Sequence, residues 1–116
     1  MIHIIDDDQL YRDLFETLIQ EFGFDVKGFV SGTHYLNYMT LDQYQLPKVI
    51  FTDMNMPGKN GLATAYEIKK CHPHIPCYIA TGSPGQLDHV DIDPINGVLR
   101  KPLSPKKLKE IIASLC

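Results

Sequence analysis

The chain has 116 residues, the size of one compact domain, and 44% of them are hydrophobic, which is enough to form a core. Eleven Lys and Arg against fourteen Asp and Glu give a formal net charge of −3, which argues against the basic surface that nucleic-acid binding normally requires. The longest apolar runs are far too short for a membrane span, and acidic residues from position 6 onward argue against a secretory signal. We therefore expect one cytoplasmic domain over residues 1–116, without nucleic-acid or membrane contact.

Short apolar runs alternate with amphipathic stretches along the chain. A strand at residues 2–5 is followed by a helix over 10–22, which Gly23 ends, and by a weaker strand at 25–30. Ser31 is a predicted N-cap for a helix over 34–39, and a strand follows at 49–52. A helix over 62–71, strands at 76–81 and 97–100, and a helix from 105 to about 115 complete the series.

This alternation predicts an α/β domain, because parallel neighbouring strands require crossover connections. We expect a single, doubly wound, five-stranded parallel sheet with helices on both faces. Between Thr81 and Gly97 the chain contains Pro84 and Pro94, so a fourth helix there should be short or distorted. His3, inside the first apolar run, is expected to be a strand residue whose ring is fully hydrogen-bonded.

Polar residues follow four of the predicted strands: Asp6 and Asp7 the first, Asp53 the third, Thr81 the fourth and Lys101 the fifth. In open parallel sheets the ligand site lies at the carboxyl ends of the strands. If the first and third strands are neighbours, their carboxylates converge, and such a cluster of oxygen ligands requires a cation and suits Mg²⁺. Carboxylates, a hydroxyl and a lysine together are what phosphoryl transfer to an aspartate requires.

Four sequence motifs stand at these strand ends: IIDDD, FTDMNMPGKNG, ATG and LRKPL. With them, in this order and over the whole chain, the sequence resembles the response-regulator receiver domains of bacterial two-component signalling. The resemblance implies a flavodoxin-like topology with strand order 2-1-3-4-5. It also implies a phosphodonor, either a sensor histidine kinase or a histidine phosphotransfer protein, and an output partner or fused output domain. A homodimer is compatible with it.

The resemblance assigns a role to each site residue. Asp53 would be the phosphoacceptor, and Thr81 and Lys101 would contact the phosphoryl group. Mg²⁺ would be bound by Asp6, Asp7, Asp53 and the backbone carbonyl of Asn55. The peptide bond between Lys101 and the following proline is expected to be cis. The chemistry would be transfer to the protein itself and later hydrolysis, rather than turnover of a metabolite.

Two alternatives remain open at this stage. Val98 stands three residues before Lys101, where the family usually has an aromatic switch residue, so the chain could be a docking module that works without phosphorylation. A hydrolase that uses Asp53 as its nucleophile would need a second acid two residues later, and that position is Asn55, whose amide cannot transfer the proton.

Overall fold

The computed structural model describes residues 1–115 and contains one five-stranded sheet in which all neighbouring strands are parallel. The order across the sheet is β2-β1-β3-β4-β5, which confirms the predicted fold class and topology. The strands are β1 (Ile2–Ile5), β2 (Val26–Phe29), β3 (Val49–Asp53), β4 (Cys77–Thr81) and β5 (Gly97–Arg100). Ile5 pairs with Thr52, and Asp53 pairs with Ala80, so the carboxyl ends of β1, β3 and β4 reach the same edge.

Side-chain caps define where the helices begin. The α-helices are α1 (Gln9–Glu21), α2 (Gly32–Met39), α3 (Gly61–Cys71) and α4 (Pro105–Leu115). Asp8, Ser31 and Asn60 accept hydrogen bonds from the first backbone N–H groups of α1, α2 and α3, and Ser104 does so at α4. Because the Ser31 hydroxyl accepts from the backbone N–H of His34, α2 begins at Gly32, two residues before the predicted start.

The connection between β4 and β5 contains only a single 3₁₀ turn, Pro84–Leu87. This confirms the prediction that any helix between these two strands is short or distorted. Proline at the start of this turn and the nearby glycine disfavour a longer helix. Leu87 and Ile95 are nevertheless buried, so this segment still covers the sheet. Within residues 1–115, no helix is both long and apolar enough to cross a membrane.

Each face of the sheet carries its own apolar cluster. The face toward α1 and α4 includes Ile2, Ile4, Phe15, Ile19, Phe51, Leu108 and Ile112. The face toward α2 and α3 includes Ile5, Tyr35, Ile50, Ile68 and Ile79. Every residue of β1 and β3 is buried, which is why both strands are nearly continuous apolar runs in the sequence. Both are interior strands of the sheet, and their carboxyl ends carry the acidic residues.

His3 is a polar residue in the centre of the core, with no exposed surface. Its Nδ1 is hydrogen-bonded to the Tyr35 hydroxyl at 2.8 Å, and that hydroxyl is hydrogen-bonded to the Tyr44 hydroxyl at 2.8 Å. Within the described part of the chain Nε2 has no partner, so the predicted full hydrogen bonding of the ring is wrong for this nitrogen. The reason is that aromatic rings such as Phe29 surround the imidazole. Burial, helped by the charge of Lys27, lowers the pKa of His3 from 6.5 to about 4.

The buried His3 should make the fold sensitive to acid. Because its pKa is lower in the folded state, its contribution to stability is complete above about pH 6.5 and is lost as the pH falls toward 4. At about pH 4.5 the loss should be on the order of 2–3 kcal/mol of unfolding free energy. Urea unfolding of the wild type and of His3→Gln between about pH 7.5 and 4.5 measures the difference. Parallel pH profiles for the two proteins would contradict this prediction.

Candidate functional site

Three carboxylates meet at the carboxyl edge of the sheet. Asp6 directly follows β1, Asp53 is the last residue of β3, and these two strands are hydrogen-bonded neighbours. One carboxylate oxygen from each of Asp6, Asp7 and Asp53 lies within 4.8 Å of the others. Asp6 is 2% exposed and Asp53 is 9% exposed, whereas Asp7 is open to solvent. The structure therefore brings together the three acids that the sequence placed at this edge.

Asp6 is held in place by backbone and side-chain contacts. Its own N–H donates to the Phe29 carbonyl at 3.0 Å, and its carbonyl accepts from Nη1 of Arg12 at 2.8 Å. The backbone N–H of Asp8 donates to Oδ1 of Asp6 at 3.0 Å. These bonds fix the start of the loop after β1, and they leave Oδ2 of Asp6 facing a different partner.

That partner is Lys101. Its Nζ donates to Oδ2 of Asp6 at 2.9 Å and forms an ion pair with Oδ1 of Asp53 at 3.0 Å. The backbone N–H of Lys101 donates to the Thr81 carbonyl at 2.8 Å, which anchors the end of β5 to the end of β4. The Lys101–Pro102 peptide bond is cis, as the sequence analysis expected. A single ammonium group thus connects the ends of three strands.

The charges of the site influence one another. Burial raises the pKa of Asp53, the charge of Asp6 raises it further, and the hydrogen bond from Lys101 opposes this without cancelling it. Burial alone would lower the pKa of Lys101, but its hydrogen bonds to Asp6 and Asp53 outweigh burial and raise it. Lys101 therefore stays protonated, and the ionised form of Asp53 is disfavoured by the fold.

The other two predicted site residues, Thr81 and Asn55, are not part of the ion pairs between Lys101 and the carboxylates. Thr81, the last residue of β4, is fully buried. Its hydroxyl donates to Oε1 of Gln86 at 3.3 Å and accepts from the backbone N–H of Ser83 at 3.0 Å. Asn55 is exposed in the loop after β3, two residues beyond Asp53. The roles of Thr81 and Asn55 stay predictions.

One contact that sequence reasoning missed comes from α1. Nζ of Lys101 lies 4.1 Å from the centre of the Tyr11 ring. In the sequence, Tyr11 belongs to the apolar stripe of the first helix, and nothing in that pattern distinguishes it from a core residue. Only the packing of α1 beside the β5–α4 loop reveals the contact.

Gly61, the first residue of α3, passes close to the backbone of Asp53. Its N–H donates to the Met54 carbonyl at 2.8 Å. A Cβ atom at this position would lie 2.1 Å from the carbonyl oxygen of Asp53, a distance that no side chain tolerates without movement of the backbone. Glycine is therefore required here by the close approach of the two segments.

Gly61→Ala is expected to displace Asp53 and to cost about 1–3 kcal/mol of unfolding free energy, the usual cost of overpacking. Urea unfolding measures this change. The matched control is Gly85→Ala, because a Cβ there would meet only the Asp88 carboxylate at an ordinary 3.7 Å. If both variants were as stable as the wild type, the close approach at Gly61 would have no structural consequence, and the prediction would fail.

The donor atoms of the site fit a hard divalent cation. The cluster offers only carboxylate oxygens, it has one acid open to solvent, and its three negative charges face a single ammonium group. Mg²⁺ takes one or two protein carboxylates and keeps several waters, which this half-open arrangement allows. The chemistry of the donors therefore suits Mg²⁺.

The strand order and the acidic edge with its hydroxyl and lysine define the class of protein: an α/β domain of the receiver type. A sequence model of the response regulator receiver domain matches residues 2–113, and the chain belongs to this family. Acceptance of a phosphoryl group in two-component signalling is the role of the family.

Individual relatives agree with this assignment. The DNA-binding transcriptional regulator NtrC of Klebsiella pneumoniae is 34% identical over 90 residues, which are 78% of this chain but 17% of that protein. A response regulator receiver domain protein from Clostridium thermocellum has a TM-score of 0.86 at 28% identity, with 98% of this chain and 91% of that chain covered. The response regulator TrrA of Thermotoga maritima, solved in complex with Mg²⁺ and BeF, has a TM-score of 0.86 at 22% identity, covering 99% and 97%. This chain thus corresponds to a small part of the curated relative.

Proposed function

We propose that this receiver domain, residues 1–116, accepts a phosphoryl group on Asp53 from a phosphohistidine of a sensor histidine kinase or a histidine phosphotransfer protein. The observation that carries the proposal is the position of Lys101. Its Nζ lies within 3.0 Å of both Asp6 and Asp53, at the edge where the carboxylates converge. Charge-assisted contacts at this distance are those that stabilise a phosphoryl group in transfer.

Each side chain then has a distinct task. A carboxylate oxygen of Asp53 forms the new O–P bond as the N–P bond to the donor imidazole breaks, and the imidazole keeps the bonding electrons. Lys101 neutralises charge on the phosphoryl oxygens. Thr81 donates its hydroxyl to one of these oxygens, and for this it must give up its hydrogen bond to Gln86. That exchange would couple the modification to the 3₁₀ turn that contains Gln86.

Asp6, Asp7, Asp53 and the backbone carbonyl of Asn55 would hold Mg²⁺. When bound, the ion would supply positive charge that offsets the negative charge of the carboxylates and of the phosphoryl group. The cluster of carboxylate oxygens and the excess of negative charge support this part of the proposal. The reaction is a modification of the protein itself, followed by hydrolysis of the acyl phosphate.

A protein rather than a small metabolite is the proposed donor because two apolar side chains are exposed on α1, the helix that follows the acidic loop. Leu10 and Leu14 of α1, which begins just beyond the acidic loop, are 79% and 55% exposed. Exposed apolar side chains beside a reactive group are typical of a protein-binding surface. The signal would pass to a separate output partner or to an output domain in the same chain.

The experiment that tests the proposal is intact-mass spectrometry after incubation with Mg²⁺ and acetyl phosphate, a small acyl-phosphate donor. We expect a single phosphoryl increment that requires Mg²⁺, that maps to the peptide containing Asp53, and that disappears on alkaline treatment because an acyl phosphate is labile to base. A parallel sample with a chelator is the control.

Absence of the increment with acetyl phosphate, with phosphoramidate and with a phosphohistidine protein as donors would overturn the proposal. The chain would then be a docking module that works without phosphorylation.

A further inference from the structure

We infer that Tyr11 is a positioning residue for Lys101: its ring holds the lysine ammonium group over the carboxylates of the site. The inference rests on the proposed function, because the position of the Lys101 ammonium group affects the reaction only if a phosphoryl group is transferred to Asp53. It adds a residue that belongs to none of the four strand-end motifs.

The first observation is the contact itself. Nζ of Lys101 lies 4.1 Å from the centre of the Tyr11 ring, well inside the range of cation–π attraction. Lys101 is largely buried, with its side chain 16% exposed, so the attraction is less weakened by water than at an open surface. The ammonium group therefore has an aromatic partner in addition to Asp6 and Asp53.

The second observation is that the same tyrosine also holds the backbone next to the lysine. The Tyr11 hydroxyl accepts a hydrogen bond from the backbone N–H of Leu103 at 3.1 Å. The ring itself packs beside Phe15, with the ring centres 6.4 Å apart. One side chain of α1 thus contacts both the head of Lys101 and the loop that follows it.

These contacts have a consequence for the reaction. The carboxylate of Asp53 loses its full negative charge when it becomes an acyl phosphate, so its contact with Lys101 changes during the reaction. The contact between Lys101 and Tyr11 involves no reacting atom, so the reaction itself does not remove it. A lysine side chain is long and has many rotamers, so a partner that does not change keeps its ammonium group at the site.

The test compares three variants of the full chain. Tyr11→Leu removes both the ring and the hydroxyl, and Tyr11→Phe removes only the hydroxyl. Tyr78→Leu is the matched control, because Tyr78 is also a half-buried tyrosine of the same apolar cluster and stacks on Phe51. Tyr11→Met replaces Tyr11→Leu if the leucine variant does not fold, since methionine fills irregular space without a ring.

Two measurements are made on each protein. The first is competitive acetylation of lysine amines, read by mass spectrometry, with the half-exposed Lys59 as internal reference. The second is the rate of phosphorylation by acetyl phosphate at saturating Mg²⁺. The first measurement needs neither Mg²⁺ nor phosphorylation, so it judges the positioning role separately from the proposed function.

In Tyr11→Leu we expect the labelling of Lys101 to rise and the phosphorylation rate to fall, each by about three- to fivefold. Tyr11→Phe keeps the ring and loses only the hydrogen bond to Leu103, so it should change both values less than Tyr11→Leu does, and Tyr78→Leu should leave both unchanged. Equal labelling of Lys101 in the wild type and Tyr11→Leu would overturn the inference, as would a Tyr11→Phe variant that behaves like Tyr11→Leu. If the wild type takes no phosphoryl group, the proposed function fails, and the labelling alone decides whether Tyr11 positions the lysine.

Discussion

Asp53→Asn is expected to abolish phosphoryl incorporation completely, because an amide cannot form the acyl phosphate. The measurement is intact mass after incubation with acetyl phosphate and Mg²⁺. Asp8→Asn is the matched control: Asp8 is an exposed acid two residues beyond Asp6 that caps α1, and asparagine is an equally good cap. The control should be phosphorylated like the wild type. Incorporation that persists in Asp53→Asn would place the phosphoryl group on a different residue.

The same substitution should change stability in two directions. Without Mg²⁺, Asp53→Asn should raise Tm, because burial and Asp6 make the ionised carboxylate of Asp53 unfavourable in the folded state. With Mg²⁺ at ten times its Kd, the wild type should gain about 1.4 kcal/mol of unfolding free energy, and the variant should gain less. Thermal unfolding with and without Mg²⁺ measures both effects. An equal response to Mg²⁺ in both proteins would remove Asp53 from the proposed metal ligands.

Lys101→Met is expected to slow phosphorylation by acetyl phosphate about 100-fold, the loss typical of removing one group that stabilises charge in a transition state. It should also lower the unfolding free energy without Mg²⁺ by roughly 1–3 kcal/mol, because the buried carboxylates of Asp6 and Asp53 lose their common partner. Phosphorylation rates and urea unfolding test the two parts separately.

The affinity of Lys101→Met for Mg²⁺ should rise, whereas its phosphorylation rate and its unfolding free energy should fall. The ammonium group offsets the negative charge of Asp6 and Asp53, so its removal should raise the affinity for Mg²⁺, which calorimetric titration measures. Lys59→Met is the matched control, since it removes a lysine from an ion pair with Glu67 in which both side chains are half-exposed. Such a pair is worth little, and the control should behave like the wild type in all three measurements. A Lys101→Met protein that is phosphorylated at the wild-type rate would exclude Lys101 from the reaction.

Much of the fold and of the acidic site could be predicted from the sequence because the signals are local. The interior strands β1 and β3 are nearly continuous apolar runs, since they are buried on both faces, and each run ends at a polar residue. In a parallel sheet the carboxyl ends of all strands lie at the same edge, so the residues that follow the strands come close together. For the same reason the cluster of Asp6, Asp7 and Asp53 follows from chain order and topology, without knowledge of any side-chain conformation.

Other features could not be predicted because they depend on contacts between distant residues. The ring of His3 was expected to be fully hydrogen-bonded, but its surroundings are set by α2 and the following loop, which supply Tyr35 and Tyr44 as neighbours. The strand pattern around His3 shows burial, yet it carries no information about which acceptors lie within reach. Among residues 1–115, one ring nitrogen of His3 is consequently left without a partner.

The sequence by itself determined the α/β class, the order of the elements and the identity of the charged and hydroxyl groups at the strand ends, because hydrophobic periodicity and neighbouring residues encode them. Only the tertiary structure decided that Lys101 bridges Asp6 and Asp53, that Tyr11 contacts its ammonium group, and that Gly61 lies against the backbone of Asp53. These contacts join residues far apart in the chain through particular rotamers and close backbone approaches. The packing of α1, α3 and the β5–α4 loop against the sheet determines these contacts.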